Sequence, residues 1–129
     1  MTTAIVCTAL LGLLVFGLGL GVSLTRGQTG TNFGYTPDPT GRMYKMVRAH
    51  GNAAEYAPML AVLILLIGGH NPATWVLWVM GIVTACRYLH AAGMIFSPTL
   101  AQPHPLRFVG ALGTYLGGLV LCVVAFRLM

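Results

Sequence analysis

The chain has 129 residues, 57% of them hydrophobic and 7% charged, with a mean hydropathy of +0.81. A soluble domain is about 25% charged, and a small one cannot bury this much apolar surface, so an ordinary soluble domain is excluded. The formal net charge of +5 is spread among apolar segments and forms no basic run, which excludes a nucleic-acid partner.

Four apolar segments are expected to cross a membrane, over residues 3–24, 43–69, 73–96 and 106–128. Each approaches or exceeds the run of about 20 residues that a spanning helix needs. Together they predict an all-α fold: one integral-membrane domain over 1–129, built as an up-down four-helix bundle. The first segment has no basic residue before its apolar stretch and no small-x-small cleavage site, so it does not read as a signal peptide. Residues 25–41 form a polar loop that closes on Asp38-Pro39, a pair suited to start a helix as N-cap and first helical residue. His70-Asn71-Pro72 reads as a tight turn, with Asn71 as a second such cap. Three prolines in 97–105 separate the third helix from the fourth. Arg26, Arg42, Lys45 and Arg48 flank the first loop and Arg107 the third, whereas the second loop has no Lys or Arg. The positive-inside rule then places loops one and three in the cytoplasm and both termini outside it.

The second span carries the chemistry. Arg48, Asn52 and Glu55 recur at i, i+4 and i+7, so a helix lines them on one face. Charges within a spanning helix are costly, face a bundle interior and mark a functional site. Arg87 on the third span lies at a similar depth, about 14–15 Å from the cytoplasmic end, with His90 one turn away. Arg107 opens the fourth span. Three arginines against the single Glu55 leave an excess of positive charge in a low dielectric. Such an excess calls for water or an anionic ligand, and arginine's planar fork suits carboxylates.

Plainer readings compete. Arg48 and Glu55 could be a structural pair, and Arg107 could reach the headgroups from its place near a helix end. Cys86 and His90 have i, i+4 spacing but lack further ligands, so no metal site is expected. Cys7, Cys86 and Cys122 all lie within spans and read as small apolar residues rather than a disulfide framework. Gly17-x-x-x-Gly21 and Gly113-x-x-x-Gly117 fit close helix contacts.

The segment Arg48-Ala-His-Gly-Asn52-Ala-Ala-Glu55-Tyr56-Ala-Pro58, Arg87 with His90, and Pro105-Leu-Arg107 resemble the MAPEG family, membrane-associated proteins in eicosanoid and glutathione metabolism. The likeness is strongest to the small bacterial inner-membrane members and covers essentially the whole chain. The resemblance implies a homotrimer that binds glutathione between subunits near the cytoplasmic side. It implies that Arg48, Asn52, Glu55 and Tyr56 contact glutathione from one subunit, with Arg87, His90 and Arg107 reaching it from the neighbour. Glu55 would take the ammonium and the arginines the carboxylates. Arg107 would be the catalytic residue, holding the thiolate. The chain departs from the prostaglandin synthase pattern at Gly51, Met94, Phe108 and Ala111, where that enzyme carries an arginine, a tyrosine, a serine and a tyrosine. The expected function is a glutathione-dependent transferase, with peroxidase activity as an extension, acting on lipophilic small molecules drawn from the membrane lipid. The alternative is a non-enzymatic membrane protein that binds glutathione or a lipid anion. A small multidrug transporter ranks last, because Glu55 lies among arginines and the first span has no acidic residue.

Overall fold

The structure is a computed structural model and describes residues 1–128. It contains four helices: α1 (Thr2–Thr29), α2 (Arg42–Gly68), α3 (Thr74–Phe96) and α4 (Pro105–Phe126). All four are long and apolar enough to cross a membrane. Their outward faces carry large apolar side chains, among them Phe16, Leu20, Trp78, Phe108 and Leu119, which suit a hydrocarbon surrounding rather than water.

The helix ends follow local chemistry that composition alone does not show. α1 runs about a turn beyond residue 24. Thr25 and Thr29 satisfy their hydroxyls on carbonyls one turn back, at 2.8 and 2.9 Å. Gly30 then stops the helix with φ 65°, its N–H bonded to the Arg26 carbonyl. Asp38 does not cap α2. Its carboxylate instead accepts from the Thr40 N–H and hydroxyl at 2.9 and 2.7 Å, closing a turn, and the helix starts after Gly41. Those two bonds, the hydroxyl's foremost, hold the Asp38 carboxyl below its ordinary range. Asn71 likewise turns the chain with φ 49° rather than capping, and α3 begins after Ala73. Both expected caps fail for one reason: each side chain, or its backbone, closes the preceding turn. Pro105 does stand at the start of α4.

α1 packs on α2, and α3 on α4; α2 and α3 join the two hairpins, while α1 and α4 do not touch. Ala49, Ala53 and Ala57 repeat at helical spacing along α2 and are buried, which lets neighbouring backbones come close. The α3–α4 seam is closer still. A Cβ added at Gly110 would lie 2.6 Å from the His90 nitrogen and 2.7 Å from the Cys86 oxygen. Loops one and three meet at one end of the bundle. The Leu100 N–H donates to the Pro39 carbonyl, and the Lys45 ammonium to the Ser97 carbonyl, both at 2.9 Å. The helices therefore alternate in direction.

Candidate functional site

Arg87 is the centre. It sits midway along α3 and is 1% exposed. Its Nη2 donates to the Asn52 side-chain oxygen and, at 3.3 Å, to the Asn52 carbonyl on α2. Its Nη1 lies 3.5 Å from the Thr114 hydroxyl on α4. Its guanidinium carbon stands 5.1 Å over the Tyr56 ring. One cation thus ties three helices together, with a cation–π contact adding to the hydrogen bonds. Its Nε is buried and has no partner. A buried guanidinium nitrogen without a partner is costly, and ionisable groups within spanning helices concentrate where function lies.

Around it stand the other residues of the α2 stripe. Tyr56 donates its hydroxyl to that of Tyr115 on α4 at 3.3 Å. Their rings are 5.7 Å apart and inclined at 57°. Glu55 is exposed, at the middle of α2, and lines a groove between α2 and α4 with Tyr56 and Tyr115. Arg48 is exposed two turns earlier. Tyr115 and Thr114 were not singled out from the sequence. Two consecutive hydroxyl residues inside an otherwise apolar span were the signal that could have found them.

His90 and Arg107 form a second group, nearer the loop end. The His90 Nδ1 donates to the Arg107 carbonyl at 2.9 Å, since a carbonyl can only accept. The Arg107 Nη1 donates to the carbonyls of Leu100 and Gln102, at 3.2 and 3.0 Å, and so braces the third loop rather than reaching toward headgroups. A small hollow of 270 Å³ lies beside these residues, walled by His104, Phe108 and Ala111. Within a single chain the expected site residues therefore fall into two groups. Asn52, Tyr56, Arg87 and Glu55 gather around α2, and His90 with Arg107 lies across the α3–α4 seam. Of the two glycine pairs, Gly113 and Gly117 face Cys86 and Val83 in that seam, while in the first pair Gly21 faces Met46 on α2 and Gly17 has no neighbour. The thiols of Cys7, Cys86 and Cys122 are free. Among the described residues no three His, Cys, Asp or Glu side chains converge on a point that could hold a metal ion.

No curated protein matches the chain closely enough to count as a relative. The MAPEG family model, by contrast, matches residues 4–127, nearly the whole length, and with four membrane-spanning helices around a buried arginine the chain belongs to the MAPEG family.

Proposed function

We propose that this membrane protein is a glutathione-dependent transferase that conjugates the glutathione thiolate to lipophilic electrophiles. The observation that carries the reading is the buried Arg87, bonded to Asn52 and stacked on Tyr56, next to an exposed Glu55 carboxylate at mid-membrane. Family membership supplies the ligand: MAPEG proteins are generally associated with glutathione. Its two carboxylates and one ammonium complement the arginines and Glu55. Arg107 is the residue assigned to the thiolate, because a nearby cation lowers a thiol's pKa from about 8.5. The assembly is a homotrimer with the site shared between neighbours, in a bacterial inner membrane, with loops one and three in the cytoplasm. The bond between those loops supports their sharing a side. In the single chain Arg87 is buried and bonded to its own Asn52. We assign it to shaping the α2 stripe, and His90 and Arg107 to the neighbour's side of the shared site.

Three measurements test this reading. Calorimetry on Glu55→Gln should show glutathione binding weakened by about 1.5–3 kcal/mol, the worth of a hydrogen bond to a charged group, because the ligand's ammonium loses its counter-charge. Unchanged binding would make Glu55 structural. Mixing Glu55→Gln with Arg107→Ala subunits should restore some activity if the site is shared, and none despite proven co-assembly if it is not. Arg107→Ala should raise the pKa of the bound thiol, each unit being about 1.36 kcal/mol. The second reading, a glutathione binder without turnover, has one observation in its favour. Phe108 and Ala111 wall the hollow beside Arg107 with apolar groups. Binding with no thiolate absorbance and no conjugation would select it.

A further inference from the structure

Asn52 stands where the α2 stripe meets the buried Arg87, and its amide has two unlike ends. The oxygen accepts from Arg87 Nη2, and the same Nη2 donates to the Asn52 backbone carbonyl at 3.3 Å. The guanidinium thus grips one residue at two oxygens and leaves its side chain little freedom to turn. The amide NH2 donates to no other described residue, and Asn52 is only half-buried.

The direction of each bond around Arg87 is fixed by chemistry. Thr114 is buried and donates its one hydroxyl proton to the Gly110 carbonyl at 2.7 Å, so toward Arg87 Nη1 it can only accept. A guanidinium has donors and no acceptor, so the Asn52 side-chain atom that faces it is the oxygen. Turning the amide over would set N–H against N–H and take from a buried cation the acceptor it holds. Donation therefore runs outward from Arg87 to α4 and to α2, and the free side of the Asn52 amide has only donors to offer.

We propose that Arg87 is a positioning residue that locks the Asn52 amide with its oxygen inward, so that Asn52 meets the ligand as a donor and recognises a carboxylate or carbonyl oxygen. Along the stripe Arg48 and Asn52 then both donate, and Glu55 accepts. The lock rests on bonds within this chain; the choice of glutathione as ligand rests on the transferase reading.

The test uses full-length protein in lipid nanodiscs. Asn52→Asp keeps the oxygen that Arg87 holds and removes only the donors. Its melting temperature should equal or exceed that of the wild type, whereas Asn52→Leu, which lacks the oxygen, should melt lower. Glutathione should bind Asn52→Asp about 10-fold more weakly or worse, the loss of a hydrogen bond to a charged group. With asparagine labelled by 15N, the side-chain NH2 signal missing from Asn52→Asp identifies Asn52, and in wild type that signal should move when glutathione is added. Its movement separates a lost donor from simple repulsion by the new carboxylate. An Asn52→Asp protein that melts as low as Asn52→Leu overturns the lock, as does an Asn52→Leu protein that melts no lower than wild type. Unchanged affinity in Asn52→Asp, or a wild-type NH2 signal that stays fixed as glutathione saturates, overturns the donor role. If either part fails while wild type still binds and conjugates glutathione, the transferase reading stands. If wild type binds no glutathione while Asn52→Asp keeps its melting temperature, the transferase reading falls and the lock stands.

Discussion

α4 meets its two neighbours in opposite ways. Toward α3 it presents Gly110, Gly113 and Gly117, and the backbones touch. Toward α2 it presents Tyr115, Leu119 and Cys122, and a groove remains open. The contrast teaches how one helix can be both anchor and wall. With no hydrophobic force to drive helices together in lipid, association depends on close packing, and the glycines of α4 approach most closely on the α3 face, while Gly118 meets Leu60 of α2 only at ordinary contact distance. The tyrosine face stays propped apart, and Arg87 reaches across it through Thr114, Asn52 and Tyr56.

The largest effect should come from closing the distinction at the seam. Gly110→Leu forces a side chain into the His90 and Cys86 backbone and should destabilise the bundle by about 3 kcal/mol, read by thermal unfolding in detergent. The same change at Gly17, which has no neighbour, should leave the melting temperature nearly unmoved. If both behave alike, the seam is not what holds α4. Next in size is Arg87→Lys. A lysine keeps the charge but loses the fork that spans Asn52 and Thr114, so stability should fall by about 2 kcal/mol, and glutathione affinity should fall with it. Loss of affinity alone would show that Arg87 belongs to the ligand rather than to the groove wall. Arg107→Ala should leave the seam intact but free the carbonyls of Leu100 and Gln102, so hydrogen exchange should quicken in residues 97–104 and not in α3.

The smallest effect lies outside the membrane, at Asp38. Its pKa is lower in the folded chain than the ordinary value of 3.8. A carboxyl depressed in this way contributes its full stabilisation above the unfolded value and loses it as the pH falls below 3.8 through the folded value. The Asp38 carboxyl is fully exposed, so the melting temperature should dip only slightly in that window, and Asp38→Asn should remove the dip. An equal dip in the variant would assign it to another group.

Much of this was legible before any coordinates. Composition and span length gave four helices, because a spanning segment must be long, apolar and self-satisfied in its backbone bonds. The i, i+4, i+7 spacing of Arg48, Asn52 and Glu55 pointed to α2 for the same reason that charges are rare in such segments. Residue spacing could not show that Arg87 turns inward to Asn52 while His90, one turn on, faces α4. That depends on how α3 is rotated between two partners. Nor could it foresee Tyr115, whose significance rests on a hydroxyl from another helix arriving 3.3 Å away. Asp38 misled because the same side chains that cap helices also close turns, and Asn71 because its backbone turns the chain before the helix begins.

The joining of loops one and three carries a consequence for biogenesis. When the first hairpin has left the ribosome, the Pro39 carbonyl and the Lys45 ammonium have no partners, because Ser97 and Leu100 are not yet made. The first pair of helices can enter the bilayer together, but its polar end stays unclasped until the third loop is synthesised. Closing that end waits for the third loop, and the two bonds can form only with that loop on the same side as the first. The two bonds are therefore long-range links that the first hairpin alone cannot make.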